Sequence, residues 1–134
     1  MKIATILLDE KEVASIETEY GFLPIPVINQ HFNKNWPHDL LSLLSEEKLE
    51  EIKRWFFQNS DSLQKEFEEL SILHKIVQFA PLYRRPRKIW GIGLNYKAHA
   101  EDLSEIVPIS EPASFMKPDT TIIGFNDTIK IPLL

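Results

Sequence analysis

The 134-residue chain has no cysteine, so disulfide frameworks, thiolate nucleophiles and cysteine-based zinc sites are all excluded. Any chemistry must come from histidines, carboxylates, lysines or hydroxyls. It also lacks a long hydrophobic run. A membrane-spanning helix needs about 20 apolar residues, and the longest such stretch, Ile3 to Leu8, is far shorter. The opening MKIATILLDEKE turns acidic too early for a secretory signal and has no small-residue cleavage site, which makes a cytoplasmic location the default expectation. Internal repeats and low-complexity tracts are absent. What is present is an ordinary globular composition, 43% hydrophobic and 26% charged, with a net charge of -5.

The charge is unevenly placed. Residues 1–80 carry 14 acidic and 8 basic side chains, whereas residues 81–134 carry 6 and 7. Prolines divide in the same way, three before Ala80 and six from Pro81 onward. These shifts set a boundary near Ala80-Pro81 between a small domain, 1–80, and a second segment, 81–134. An acidic chain repels nucleic-acid phosphates, and the short basic run Arg84, Arg85, Arg87 and Lys88 does not reverse that expectation.

In the first domain, apolar Lys2–Leu8, polar Asp9-Glu10-Lys11 and alternating Glu12–Thr18 predict an antiparallel hairpin. Gly21, Pro24 and Pro26 then predict a break in regular structure before a short extended piece at Val27-Ile28. Asp39 suits the cap of a short helix through Leu44, and Ser45 the cap of a longer one whose apolar face is Leu49, Ile52 and Phe56. Ser62–Leu70 repeats the helical spacing with Leu63, Phe67 and Leu70. The result is a small α+β unit in which His31, His38 and His74 have no metal-ligand spacing and read as structural. The second segment predicts short strands at Lys88–Leu94, Ser114–Met116, Thr121–Gly124 and Thr128–Ile131, with one helical stretch at Tyr96–Leu103.

Gly91-Ile92-Gly93 after an apolar strand is not a dinucleotide fingerprint, because Tyr96 stands where the third glycine belongs. Close packing across the strand explains these glycines better. His99 and Asp102 are three residues apart, so one helical turn brings them to the same face, where a carboxylate can orient an imidazole as a general base. Spacing alone favours a surface or capping histidine over that dyad. Lys117, between Met116 and Pro118, is either a desolvated ammonium aimed into a cleft or a lysine snorkelling from a strand end, and taken alone the second reading is the stronger.

Several elements occur in order: Ala80-Pro81, Pro86-x-Lys88-Ile89, Gly91-x-Gly93-Leu94-Asn95-Tyr96-x-x-His99-Ala100, Glu111-Pro112-x-x-Phe115-x-Lys117-Pro118 and Ile122-x-Gly124. This set resembles the opening of the catalytic domain of the fumarylacetoacetate hydrolase family, and the first 80 residues are similar in general pattern to the N-terminal domain that precedes it. The resemblance implies the first strands of a mixed β-roll, incomplete in this chain. It implies a metal-dependent hydrolase, isomerase or decarboxylase of small dicarbonyl acids, acylpyruvate-like or keto-enol, of the kind formed in aromatic compound catabolism. Magnesium or manganese would stabilise the enolate oxygens. His99 would move a proton, helped by Asp102 or Glu101; Lys117 would lie close to substrate; Asn95 and Tyr96 would shape the turn that delivers His99. A homodimer is the expected assembly.

Two departures accompany the resemblance. The family has Glu three residues after its histidine, where this chain has the shorter Asp102, preceded by Glu101. The family's metal-binding Glu-x-Glu pair and later Asp have no counterpart before Leu134, so the chain alone is expected to bind no metal and to be inactive. Two further expectations compete with catalysis: a binding or assembly module that uses exposed strand edges, and an anion site on the basic run from Arg84 to Lys88.

Overall fold

The computed structural model describes residues 1–94, 96–102, 104, 106 and 111–131, with the side chains of Lys97 and His99 outside that description. It is an α+β structure with antiparallel sheets. The chain divides into two compact units, one formed by Met1–Tyr83 together with the stretch that begins at Ile123, the other by Arg84–Ile122. Among the described residues no helix is long and apolar enough to cross a membrane.

The first unit is built on a four-stranded sheet in the order β1 (Ile3–Leu8), β2 (Lys11–Glu17), β3 (Gly21–Pro24), β4 (Ile72–Leu73). The predicted hairpin forms with Leu8 opposite Lys11, and Asp9 and Glu10 both take the left-handed backbone that a two-residue turn of matching twist requires. Thr18 organises the next turn: its Oγ1 accepts from the amides of Tyr20 and Gly21 at 3.2 Å and meets Ser71 Oγ at 3.1 Å. Gly21 is required there, since a Cβ would strike the Ile72 carbonyl of β4.

Period-two alternation gives the sheet two apolar faces. One carries Ala14, Ile16 and Leu23 and packs under helices α1 (Ile25–Phe32), α2 (Leu40–Ser45), α3 (Leu49–Asn59) and α4 (Gln64–Leu70), which contribute Ile25, Ile28, Leu40, Leu43, Ile52 and Phe67. The other carries Ile6, Val13 and Phe22, packed by Ile72 and Val77. The segment around Phe79 closes the outer edge of β1: Leu7 donates to the Gln78 carbonyl at 2.9 Å, Ala80 donates to the Thr5 carbonyl at 2.9 Å, and Thr5 Oγ1 donates to the Leu82 carbonyl at 2.7 Å. His74 stands edge-on to Phe22, with Nε2 3.7 Å from Glu17 Oε1, a structural place as expected.

Val27-Ile28 is not extended; it lies inside α1. Pro24 is the N-cap and Pro26 falls in the first turn, where a missing N–H costs nothing and a fixed φ starts the helix instead of breaking it. Ser45 does not cap the long helix. It ends α2, Glu47 turns the chain through left-handed backbone, and α3 starts at Leu49 with Glu50 and Glu51 in the first turn, where the helix dipole favours anions. Asp39 does cap α2, accepting from the Ser42 amide at 2.9 Å.

The second unit is a two-stranded antiparallel sheet, β5 (Ile89–Gly93) with β6 (Ala113–Lys117), and a six-residue helix α5 (Lys97–Asp102) between them in sequence. Thr121–Gly124 is not a strand. Asp119–Thr121 forms a 3-10 turn in which Thr121 Oγ1 donates to the Pro118 carbonyl at 2.7 Å, and Asp127 Oδ2 takes the Gly124 amide at 2.6 Å, so local side-chain bonds replace ladder bonds. Thr128–Ile131 likewise pairs with no strand among the described residues.

Candidate functional site

The second unit carries every residue singled out for chemistry. β5 ends at Gly93, and Leu94 takes left-handed backbone, which turns the chain out of the strand toward α5. Asn95 lies outside the described residues. Tyr96 is exposed, and its carbonyl accepts the Ala100 amide at 3.2 Å, fixing the first turn of α5 around the buried Ala100. His99, Glu101 and Asp102 all fall on this one short helix, with positions 99 and 102 a turn apart. The His99 side chain lies outside the description; Glu101 and Asp102 are exposed.

Lys117 ends β6, directly opposite Ile89 in the register, and is exposed. That pairing brings Lys117 alongside the basic run, which sequence spacing could not show because 29 positions separate Lys88 from Lys117. Arg87, Lys88 and Lys117 line one groove of about 520 Å³ with Ile89, Met116 and Asp119. Three cations face one carboxylate over an apolar floor, which suits a small anionic ligand. The signal that could have found Arg87 and Lys88 was the basic run itself, placed one residue before a strand that pairs with the lysine strand.

Gly91 is explained by packing. It lies opposite Phe115, whose ring covers it so closely that a Cβ would collide with three ring atoms. On the other face of the ribbon Trp90 and Met116 are 60% and 63% exposed.

Among the described residues no group of three or more His, Asp or Glu side chains could hold a metal ion. The described residues therefore do not fit the magnesium or manganese that the resemblance implies.

Comparison with known proteins gives relatives over part of the chain. An uncharacterised protein of Archaeoglobus fulgidus is 53% identical over 47 residues, covering 35% of this chain and 18% of that protein. A protein of Arabidopsis thaliana named mitochondrial oxaloacetate tautomerase FAHD2 is 39% identical over 51 residues, 38% of this chain and 22% of its own length. A fumarylacetoacetate hydrolase domain-containing protein 2 homolog of Dictyostelium discoideum is 48% identical over 48 residues, 36% of this chain and 15% of its own. The chain thus matches about a fifth or less of the length of these relatives. No family model matches it. The shared stretch is of the kind found in fumarylacetoacetate hydrolase domain proteins.

Proposed function

We propose that the chain is the N-terminal portion of a hydrolase or isomerase of small dicarbonyl acids, and that the groove at Lys117 receives the acid's carboxylate. The observation that carries this reading is the convergence of Arg87, Lys88 and Lys117 on one groove beside an apolar floor. A carboxylate there gains charge-assisted hydrogen bonds that a neutral ligand cannot make. The Arabidopsis relative's name makes oxaloacetate a reasonable first acid to try.

In this proposal His99 moves a proton at the carbon or water beside the carbonyl, with Asp102, or Glu101 in its place, orienting the ring. Tyr96 and Asn95 belong to the turn that delivers the helix, and Lys117 is a binding residue. The magnesium or manganese of the family finds no ligand cluster among the described residues, so the chain by itself is expected to bind acid without turning it over.

The test has two arms on the purified chain. Oxaloacetate should shift the amide signals of β5 and β6 saturably, and Lys117→Gln should weaken that binding by about tenfold, the loss of one charged hydrogen bond. Turnover of oxaloacetate above the buffer rate would refute the inactivity, and binding untouched by Lys117→Gln would refute the assignment of the groove.

A second reading rests on a different observation. Trp90, Ile92 and Met116 are more than half exposed on the two-stranded ribbon, which also leaves strand edges unpaired among the described residues. A non-catalytic assembly module, or the homodimer expected for the family, would cover them. Sedimentation of the chain as a monodisperse dimer that Trp90→Lys converts to monomer supports this reading, and a monomer throughout removes it.

A further inference from the structure

The acidic first unit contains one cleft of the opposite character. Helix α3 sets Glu51, Arg54, Trp55 and Gln58 along one face at intervals of three and four residues, and the loop after α1 brings Lys34 and Trp36 across from them. Asn29 holds that loop in place, donating from Nδ2 to the Trp36 carbonyl at 2.7 Å and accepting the Trp36 amide at 3.2 Å. The six side chains line an open cleft of about 280 Å³.

Trp36 is the floor, 2% exposed, with Trp55 edge-on to it at 5.5 Å between centroids. Its indole Nε1–H donates to Glu51 Oε1 at 2.8 Å, and Lys48 Nζ lies 3.5 Å from the other carboxylate oxygen. The indole hydrogen bond holds the Glu51 carboxyl below the ordinary carboxylate range, with burial opposing it and Lys48 and Lys34 adding to the pull. Glu51 is therefore an anion already provided for. Lys34 lies 5.8 Å from the centre of the Trp36 ring, and among the described residues Arg54 commits only Nε, to the Glu50 carbonyl at 3.3 Å. Neither enters an ion pair among the described residues.

We infer that this cleft binds a small planar carboxylic acid, with its carboxylate on Arg54 and Lys34 and its flat body against Trp55. The guanidinium fork matches a carboxylate in geometry as well as charge. An indole wall favours a flat apolar body over a flexible polar one. The volume lies at the lower limit of small-molecule pockets, about 300 Å³, which suits a small ligand. Glu51, fixed at the Trp36 end, repels a second anion there and so sets the ligand's direction. The site shares no residue with the groove at Lys117, and its test is independent of the proposed activity.

The experiment is a titration of the ¹⁵N-labelled chain with benzoate, following the three indole N–H signals, with benzyl alcohol as the uncharged counterpart. The Trp36 and Trp55 signals should shift saturably with benzoate and not with benzyl alcohol, and any movement of Trp90, in the other unit beside the Lys117 groove, should follow a different Kd. Arg54→Gln should raise Kd by about tenfold, as expected for one charged hydrogen bond, and Lys34→Gln should do so to a smaller degree. Arg54 and Lys34 are outside the core, and unchanged urea midpoints will confirm that the variants fold. Absence of a saturable shift, an equal response to benzyl alcohol, movement of Trp90 with the same Kd, or unchanged affinity in both variants would each overturn the inference.

Discussion

Replacing Gly91 by alanine tests the packing of the ribbon that carries Lys117. The new methyl group would meet the Phe115 ring at three of its atoms, so either the ring or the strand must give way. Overpacking a rigid site costs about 1–3 kcal/mol. Here the obstacle is a side chain that is already 48% exposed, and it can swing outward. Full burial of such a side chain is worth about 1.5–3 kcal/mol, so giving up the half that is covered limits the cost to about 0.8–1.5 kcal/mol. The assay is protection of the β5 and β6 amides from hydrogen exchange, which reports the opening of this sheet separately from the larger unit. Gly91→Ala should lower that protection by about tenfold, the equivalent of about 1.4 kcal/mol. In a Phe115→Ala background the same methyl should cost almost nothing, because its obstacle is gone. An equal penalty in both backgrounds would refute the reasoning, since it would place the strain in the strand and not in the ring.

Other outcomes follow from the first unit. Ile52→Ala removes a fully buried side chain from the helix–sheet core and should lower the urea-unfolding free energy by about 2–5 kcal/mol, whereas Phe57→Ala, 57% exposed on the same helix, should change it by less than about 1. Asp39→Ala should cost about 0.5–2 kcal/mol through the lost cap of α2, measured the same way. For Asp39 burial pushes the carboxyl up, but the hydrogen bonds from Ser42 and its neighbours outweigh it and the net pKa is lowered. The capping contribution is thus complete above the ordinary carboxylate range and is lost as pH falls through the lowered value. Asp39→Asn should retain a cap yet lose that part of the acid dependence, read from urea midpoints between neutral and acid pH.

What the sequence made legible was set by local chemistry. Alternation around Asp9-Glu10 defined the hairpin, and Asp39 before an apolar run defined α2, because turns and caps act within four residues. Val27-Ile28 misled because two prolines so close together signal a break, yet one of them sits where a helix accepts it most readily. Ser45 misled because a capping residue is recognised by its type, while the αL turn at Glu47 that separates α2 from α3 has no signature in an acidic run. Thr121–Gly124 and Thr128–Ile131 have strand-like residues but lack a neighbouring strand among the described residues, and a strand is a property of a pair. In the candidate site the positions of His99 and Asp102 on one helix were legible, and the meeting of Lys117 with Arg87 and Lys88 was not, since it depends on strand register.

The chain covers the outer edge of its first strand with residues that come late. Thr5 bonds to Leu82, 77 positions further on, whereas β1 and β2 meet across a two-residue turn. Closing the hairpin takes microseconds and little entropy, but the return of the segment around Phe79 is a long-range event that costs more entropy and is slower. Until it arrives, β1 offers bare amides and carbonyls to any strand it encounters, including the same strand of another copy. The late segment around Phe79 thus keeps β1 from pairing with other copies as well as completing the sheet.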